Sequence, residues 1–72
     1  MSKTNQEIAA MLYEMSELFA MNNVPFKPQA FEKAARSVEY SAMSVADTYQ
    51  SGGRDALQKI PGVGAGIAER IA

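Results

Sequence analysis

The chain predicts a small all-α domain of four to five helices, the last two joined by a tight turn into a hairpin. Three observations carry that reading. Apolar residues recur at three- and four-residue steps along most of the chain, and no stretch alternates with the two-residue period of a strand. Proline and glycine punctuate the gaps between these runs, at Pro25 and Pro28, at Gly52 and Gly53, and across Pro61 to Gly64. An apolar share of 47% is enough for one core, and 72 residues leave room for one domain, spanning 1–72, with a thin stability margin.

The first helix begins at Thr4, whose spacing to Glu7 is that of a capping box, in which each side chain satisfies a backbone N–H. Ile8, Met11, Leu12, Met15, Leu18 and Phe19 form its core stripe, and Asn22 to Phe26 interrupts it. Met11 and Met15 read as adaptable core fillers. Pro28 suits the first turn of a second helix, which the pattern carries to about Met43 with Phe31, Ala34, Ala35, Val38 and Ala42 inward. A third helix runs from Val45 to about Gln50, capped by Ser44, with Val45 and Tyr49 buried and Ser51-Gly52-Gly53 ending it. Arg54 to Ile60 forms a short helix, Pro61-Gly62-Val63-Gly64 a turn, and Ala65 to Ala72 the last helix, bearing Ile67, Ala68 and Ile71. That last pattern runs to Ala72 without a C-cap, which predicts a continuation into a longer chain.

Composition narrows the chemistry. There is no cysteine and no histidine, so disulfides, thiolate zinc sites and the commonest general base are excluded. A net charge of −1 argues against indiscriminate coating of nucleic acid. The charge is uneven: residues 1–26 hold Lys3 against Glu7, Glu14 and Glu17, while residues 27–72 hold six cations against five acids. Any nucleic-acid contact is therefore expected in the second part, through a few placed groups. No run approaches the roughly 18 apolar residues of a membrane helix, and no apolar signal core opens the chain, so a soluble, cytoplasmic protein without a membrane partner is expected.

The hairpin is the informative feature. Glycines flanking an apolar residue just before a helix allow a sharp turn and let a ligand approach main-chain N–H groups. The helix that follows turns its unpaired N–H groups and positive dipole end outward, which suits a phosphate without any basic side chain. Val63 is expected to plug down between the two helices. Carbonyls on the other side of the turn can face a potassium or sodium ion. The bare pattern also fits an ordinary connection between two helices.

The full stretch Leu57 to Ile71, with Pro61-Gly62-Val63-Gly64 and then Ile67-Ala68, resembles the helix-hairpin-helix motif. The resemblance implies sequence-independent binding to one DNA strand through Gly62, Val63, Gly64 and Gly66, supported by Lys59 and Arg70. It also implies a monovalent cation on the carbonyls of Gln58, Ile60 and Val63, and no other cofactor. Together with Asn5 to Glu17, Pro25-Phe26-Lys27 and Ala30-Phe31-Glu32-Lys33-Ala34-Ala35-Arg36, nearly the whole chain looks like the N-terminal domain of family X DNA polymerases, the DNA polymerase beta type, with bacterial members the nearer match. In that family the domain binds the 5′-phosphate side of a gap while separate polymerase domains of the same chain fill it. Some members also excise a 5′-deoxyribose phosphate through a lysine Schiff base.

The chain departs from that pattern at three positions. Arg70 stands where the nucleophilic lysine of lyase-active relatives stands, and a guanidinium forms no imine, so no catalytic residue is expected here. Gly66 replaces a basic position of the phosphate pocket and Phe31 a tyrosine, while Lys27 matches a phosphate-contacting lysine. Lys33 and Lys59 read as surface lysines rather than substitute nucleophiles. The expected role is to anchor a gap-filling polymerase on gapped or nicked DNA in repair. With about two or three phosphate contacts, affinity should be of order 10⁻⁴ to 10⁻⁶ M and the log–log salt slope near −2 to −3. Three alternatives stay open: lyase activity retained through another lysine, a helix-hairpin-helix module of another DNA-processing protein, and a protein-docking or purely structural domain.

Overall fold

The computed structural model describes residues 4–71, which form four helices: α1 (Asn5–Met21), α2 (Lys27–Glu39), α3 (Val45–Leu57) and α4 (Ala65–Ile71). No strand occurs among the described residues, so the all-α expectation holds. α1 packs chiefly on α2 and α3 on α4, around one shared core. No helix among the described residues is long and apolar enough to cross a membrane. Lys3 and Ala72, both used in the reading above, lie outside the described residues.

The capping box forms as its spacing predicts. Thr4 Oγ1 accepts the Glu7 N–H at 3.1 Å, and the Glu7 carboxylate accepts the Thr4 N–H at 3.0 Å. The stripe needs one correction, since Leu18 is 56% exposed. Ala9 and Ser16, absent from the apolar pattern, are buried instead, and they turn the inward face of α1 away from Leu18. Burying Ser16 is tolerated because its hydroxyl donates to the Pro28 carbonyl at 2.8 Å, tying α1 to the first turn of α2. At the other end Tyr13 donates to Glu39 Oε1 at 3.1 Å. Partial burial, then that carboxylate, holds the Tyr13 hydroxyl above the ordinary phenol range. A raised folded-state pKa stabilises fully below the unfolded value, about pH 10, and the benefit is lost only as pH rises through the raised value, so this tie is intact at neutral pH.

α2 stops at Glu39 rather than near Met43, and Ala42 is exposed rather than inward. Local side-chain bonds compete with the helix here. Ser41 Oγ accepts the Met43 N–H at 3.2 Å and donates to the Met43 carbonyl at 3.1 Å. Asn5, on the first turn of α1, then clasps the same loop: its Nδ2 donates to the Met43 carbonyl and its Oδ1 accepts the Val45 N–H, both at 2.8 Å. Replacing Asn5 by alanine leaves both loop groups without this partner. Asn5→Ala should cost about 1–2 kcal/mol, a fall of roughly 4–16 °C in a circular-dichroism melt, with Asn5→Asp in between because it keeps the acceptor.

Ser44 caps α3 as expected, accepting the Asp47 N–H at 3.3 Å. The helix runs beyond Gln50, and Gly53, at φ 65° and ψ −156°, kinks it before a last turn from Arg54 to Leu57. Taken as a break, the kink makes a fifth helix. Gly52 is needed on the near side, because a Cβ there would lie 2.6 Å from Ala56 Cβ. The segment after the kink is shorter than the Arg54–Ile60 expected, because residues 58–60 close as turns. Tyr49 is 39% exposed instead of buried, whereas Leu57 is fully buried.

Candidate nucleic-acid interface

The turn joining α3 to α4 is built by its glycines and one plug. Gly62 adopts φ 85°, a conformation costly for any residue with a Cβ, and a Cβ there would lie 3.1 Å from Lys33 Cγ and 3.5 Å from the Ala34 nitrogen. Val63 follows with its N–H donated to the Ile60 carbonyl at 3.0 Å and its side chain only 4% exposed, the plug that the sequence predicts. Gly64 accepts the Ala68 N–H at 2.9 Å, so the N–H groups of Gly64, Ala65 and Gly66 precede the first intrahelical bond of α4. A Cβ on Gly64 or Gly66 would meet no atom within 4 Å, so packing does not require glycine at either position. What their bare backbone provides is access.

These glycines line an open groove of about 480 Å³. Lys27, Ala30 and Phe31 of α2, Phe19 of α1 and Ile67, Glu69 and Arg70 of α4 line it as well. Residues 43 positions apart in the chain, Lys27 and Arg70, thus share one groove with Gly62, Gly64 and Gly66. A model of the helix-hairpin-helix domain matches residues 3–72. The chain belongs to the helix-hairpin-helix domain family. Helix-hairpin-helix domains bind DNA. Comparison with curated proteins and with solved structures gives no match.

Within this helix-hairpin-helix domain the Lys27 ammonium sits over one aromatic ring. Its Nζ lies 5.2 Å from the centroid of the Phe19 ring, which in turn tilts against Phe31 at 5.0 Å between centroids. The backbone before Lys27 is also constrained: Phe26 takes φ 69°, rare for a bulky residue, and the Lys27 N–H donates to the Pro25 carbonyl at 2.9 Å. Among the described residues the only side-chain ion pair is Arg36–Glu32, an exposed i,i+4 pair at 3.2 Å worth little. Lys27 and Arg70 are therefore not neutralised by an ion pair there. With Glu69 the groove carries two positive charges and one negative, enough to favour a single phosphate.

Lys59 does not join them. It lines a second groove, with Tyr40, Met43, Ile60 and Pro61. Of the carbonyls expected to face a monovalent ion, that of Ile60 already accepts the Val63 N–H, and Gln58 is the C-cap of α3. Among the described residues no cluster of acidic, histidine or cysteine side chains offers another kind of metal site. Sequence reasoning missed three members of the hairpin groove's surroundings: Phe19, assigned wholly to the core; Glu69; and the Lys33 stem, which runs beside Gly62. Glu69 was visible beside Arg70, whereas nothing in the spacing placed Phe19 or Lys33.

Proposed function

We propose that the domain grips the sugar-phosphate backbone of DNA at the 5′-phosphate side of a gap or nick, as the N-terminal domain of a family X DNA polymerase acting in repair, its partners being that DNA and the polymerase domains of the same chain. The observation that carries this reading is the meeting of Lys27 and Arg70 over a backbone left bare at Gly64 and Gly66, where packing does not demand glycine. Two cations and a row of main-chain N–H groups match one or two phosphates and read no base. Lyase chemistry is not part of the proposal, because Arg70 cannot form an imine; borohydride treatment with a 5′-deoxyribose phosphate substrate should trap no covalent adduct. A potassium or sodium ion on the carbonyls of Gln58, Ile60 and Val63 would strengthen the positive field on the groove, oxygen donors being the ligands such hard ions prefer.

The deciding experiment is a fluorescence-anisotropy titration of the chain against gapped DNA with and without a 5′-phosphate, and against intact duplex, at two salt concentrations. The phosphorylated gap should bind tightest, and Gly62→Ala should weaken all three complexes by distorting the turn. Equal binding to all three would reduce the role to a generic backbone grip. A second reading, protein docking, draws on Leu18, Met21 and Phe26, which are 56%, 78% and 84% exposed around the α1–α2 connection. Absence of binding to any of the three DNAs would favour it.

A further inference from the structure

The groove holding Lys59 has a composition of its own. It encloses about 560 Å³ between the C-terminal end of α2, the loop that follows and the hairpin turn. Tyr40, the C-cap of α2, is 79% exposed, and Met43 70%, so an aromatic ring and a thioether stand open to solvent. Ile60 and Pro61 provide apolar floor and Lys59 the single charge among the lining residues. Two of the lining hydroxyls are engaged internally: Thr48 Oγ1 donates to the Ser44 carbonyl and Ser41 Oγ to that of Met43, both at 3.1 Å. Neither has its donor free to read a base edge.

The two grooves are neighbours along the chain. Gly62 lines the first and Pro61 the second, and consecutive Cα atoms are about 3.8 Å apart, so the two grooves adjoin at the turn. We infer that the Tyr40–Lys59 groove is a second nucleic-acid subsite, which receives an unpaired nucleotide next to the phosphate held by Lys27 and Arg70. The base stacks on the Tyr40 ring with Met43 beside it, and the phosphate of that nucleotide meets Lys59. An exposed ring beside a cation is how single strands are held without sequence preference, since every base has a π-face. Charge sets the direction. Asp47 lies in a smaller hollow that shares Met43, Thr48 and Ala56 with the groove, which keeps phosphates at the Lys59 end and leaves the base end to Tyr40. The inference rests on the DNA-binding reading and deepens it, from a site for one phosphate to one for a phosphate with an unpaired neighbour.

The test compares two fluorescent probes, a blunt duplex with a 5′-phosphate and the same duplex with a three-nucleotide 5′-phosphorylated overhang. Tyr40→Ala should lose roughly five- to a hundred-fold in affinity for the overhang, the range known for loss of one stacked base, and change less than about two-fold on the blunt duplex. Tyr40→Phe, which keeps the ring, should restore binding, and Lys59→Gln should make the overhang's salt slope shallower by about 0.7. Unlabelled overhang DNA should quench tyrosine fluorescence in the wild type and markedly less in Tyr40→Leu. If the wild type binds both probes and Tyr40→Ala matches it on the overhang, or loses equally on both, the subsite is overturned while the phosphate groove stands. If the wild type binds neither probe, the DNA reading itself fails, and the subsite with it.

Discussion

Leu57→Ala is expected to lower the melting temperature by roughly 10–40 °C and to abolish DNA binding without touching any proposed DNA contact. Leu57 is fully buried, ends the last turn of α3, and its carbonyl accepts the Ile60 N–H at 3.1 Å at the start of the hairpin turn. Emptying a buried leucine site costs about 2–5 kcal/mol, because the transfer energy is lost and a cavity remains. A 72-residue domain has only about 4–11 kcal/mol in total, so from about a fifth of its margin to all of it is at stake. Leu57→Met, which nearly conserves volume, should cost less than about 1.5 kcal/mol and keep binding. Thermal and urea unfolding followed by circular dichroism would decide the matter. A melt within a few degrees of wild type would mean that the core closes without Leu57.

The opposite dissociation is expected of the double variant Lys27→Ala and Arg70→Ala, which should fold normally and bind DNA poorly. Both side chains are exposed and neither is in an ion pair among the described residues, so stability should move by no more than about 1 kcal/mol, the scale of the Lys27 contact with Phe19. Each cation lost from a phosphate contact removes about 0.9 from the log–log salt slope on duplex DNA. A wild-type slope near −2 to −3 should therefore become shallower by about 1.8, with affinity at low salt falling on the order of 10- to 100-fold. Since both cations face one groove, the single changes should not be additive. An unchanged slope would show that neither residue touches phosphate.

Which features could be read in advance follows from how local their chemistry is. The Thr4–Glu7 capping box, the Ser44 cap and the Val63 plug depend on groups a few residues apart, and each appears as the sequence predicts. Gly53 breaks α3 within the stretch where a stop was expected, though the helix is carried further than Gln50 before it. Errors arise where a distant partner decides. Ser16 is buried because of a carbonyl on α2, and α2 ends early because Ser41 and Asn5 capture a loop whose residues are up to 40 positions from Asn5. Leu18 and Tyr49 fit a helical period yet face solvent, since periodicity marks a stripe without fixing its centre. At the site, Lys59 adjoins the hairpin in the chain, whereas Lys27 stands 34 positions before Pro61. Only the fold puts Lys27 in the groove with Gly62, Gly64 and Gly66 and Lys59 in another.

The pairing of α1 with α2 and of α3 with α4 also bears on the order of assembly. Contacts between neighbouring helices close short loops and form quickly, whereas docking one pair on the other must join segments distant in the chain and comes at greater entropic cost. The seam between the pairs is thus the natural place for partial opening, detectable as earlier hydrogen exchange there than within either pair. Lys27 belongs to one pair and Arg70 to the other. A phosphate held by both bridges the seam, so a nucleic-acid end that occupies the groove would slow its opening and raise the domain's melting temperature in proportion to the logarithm of ligand concentration.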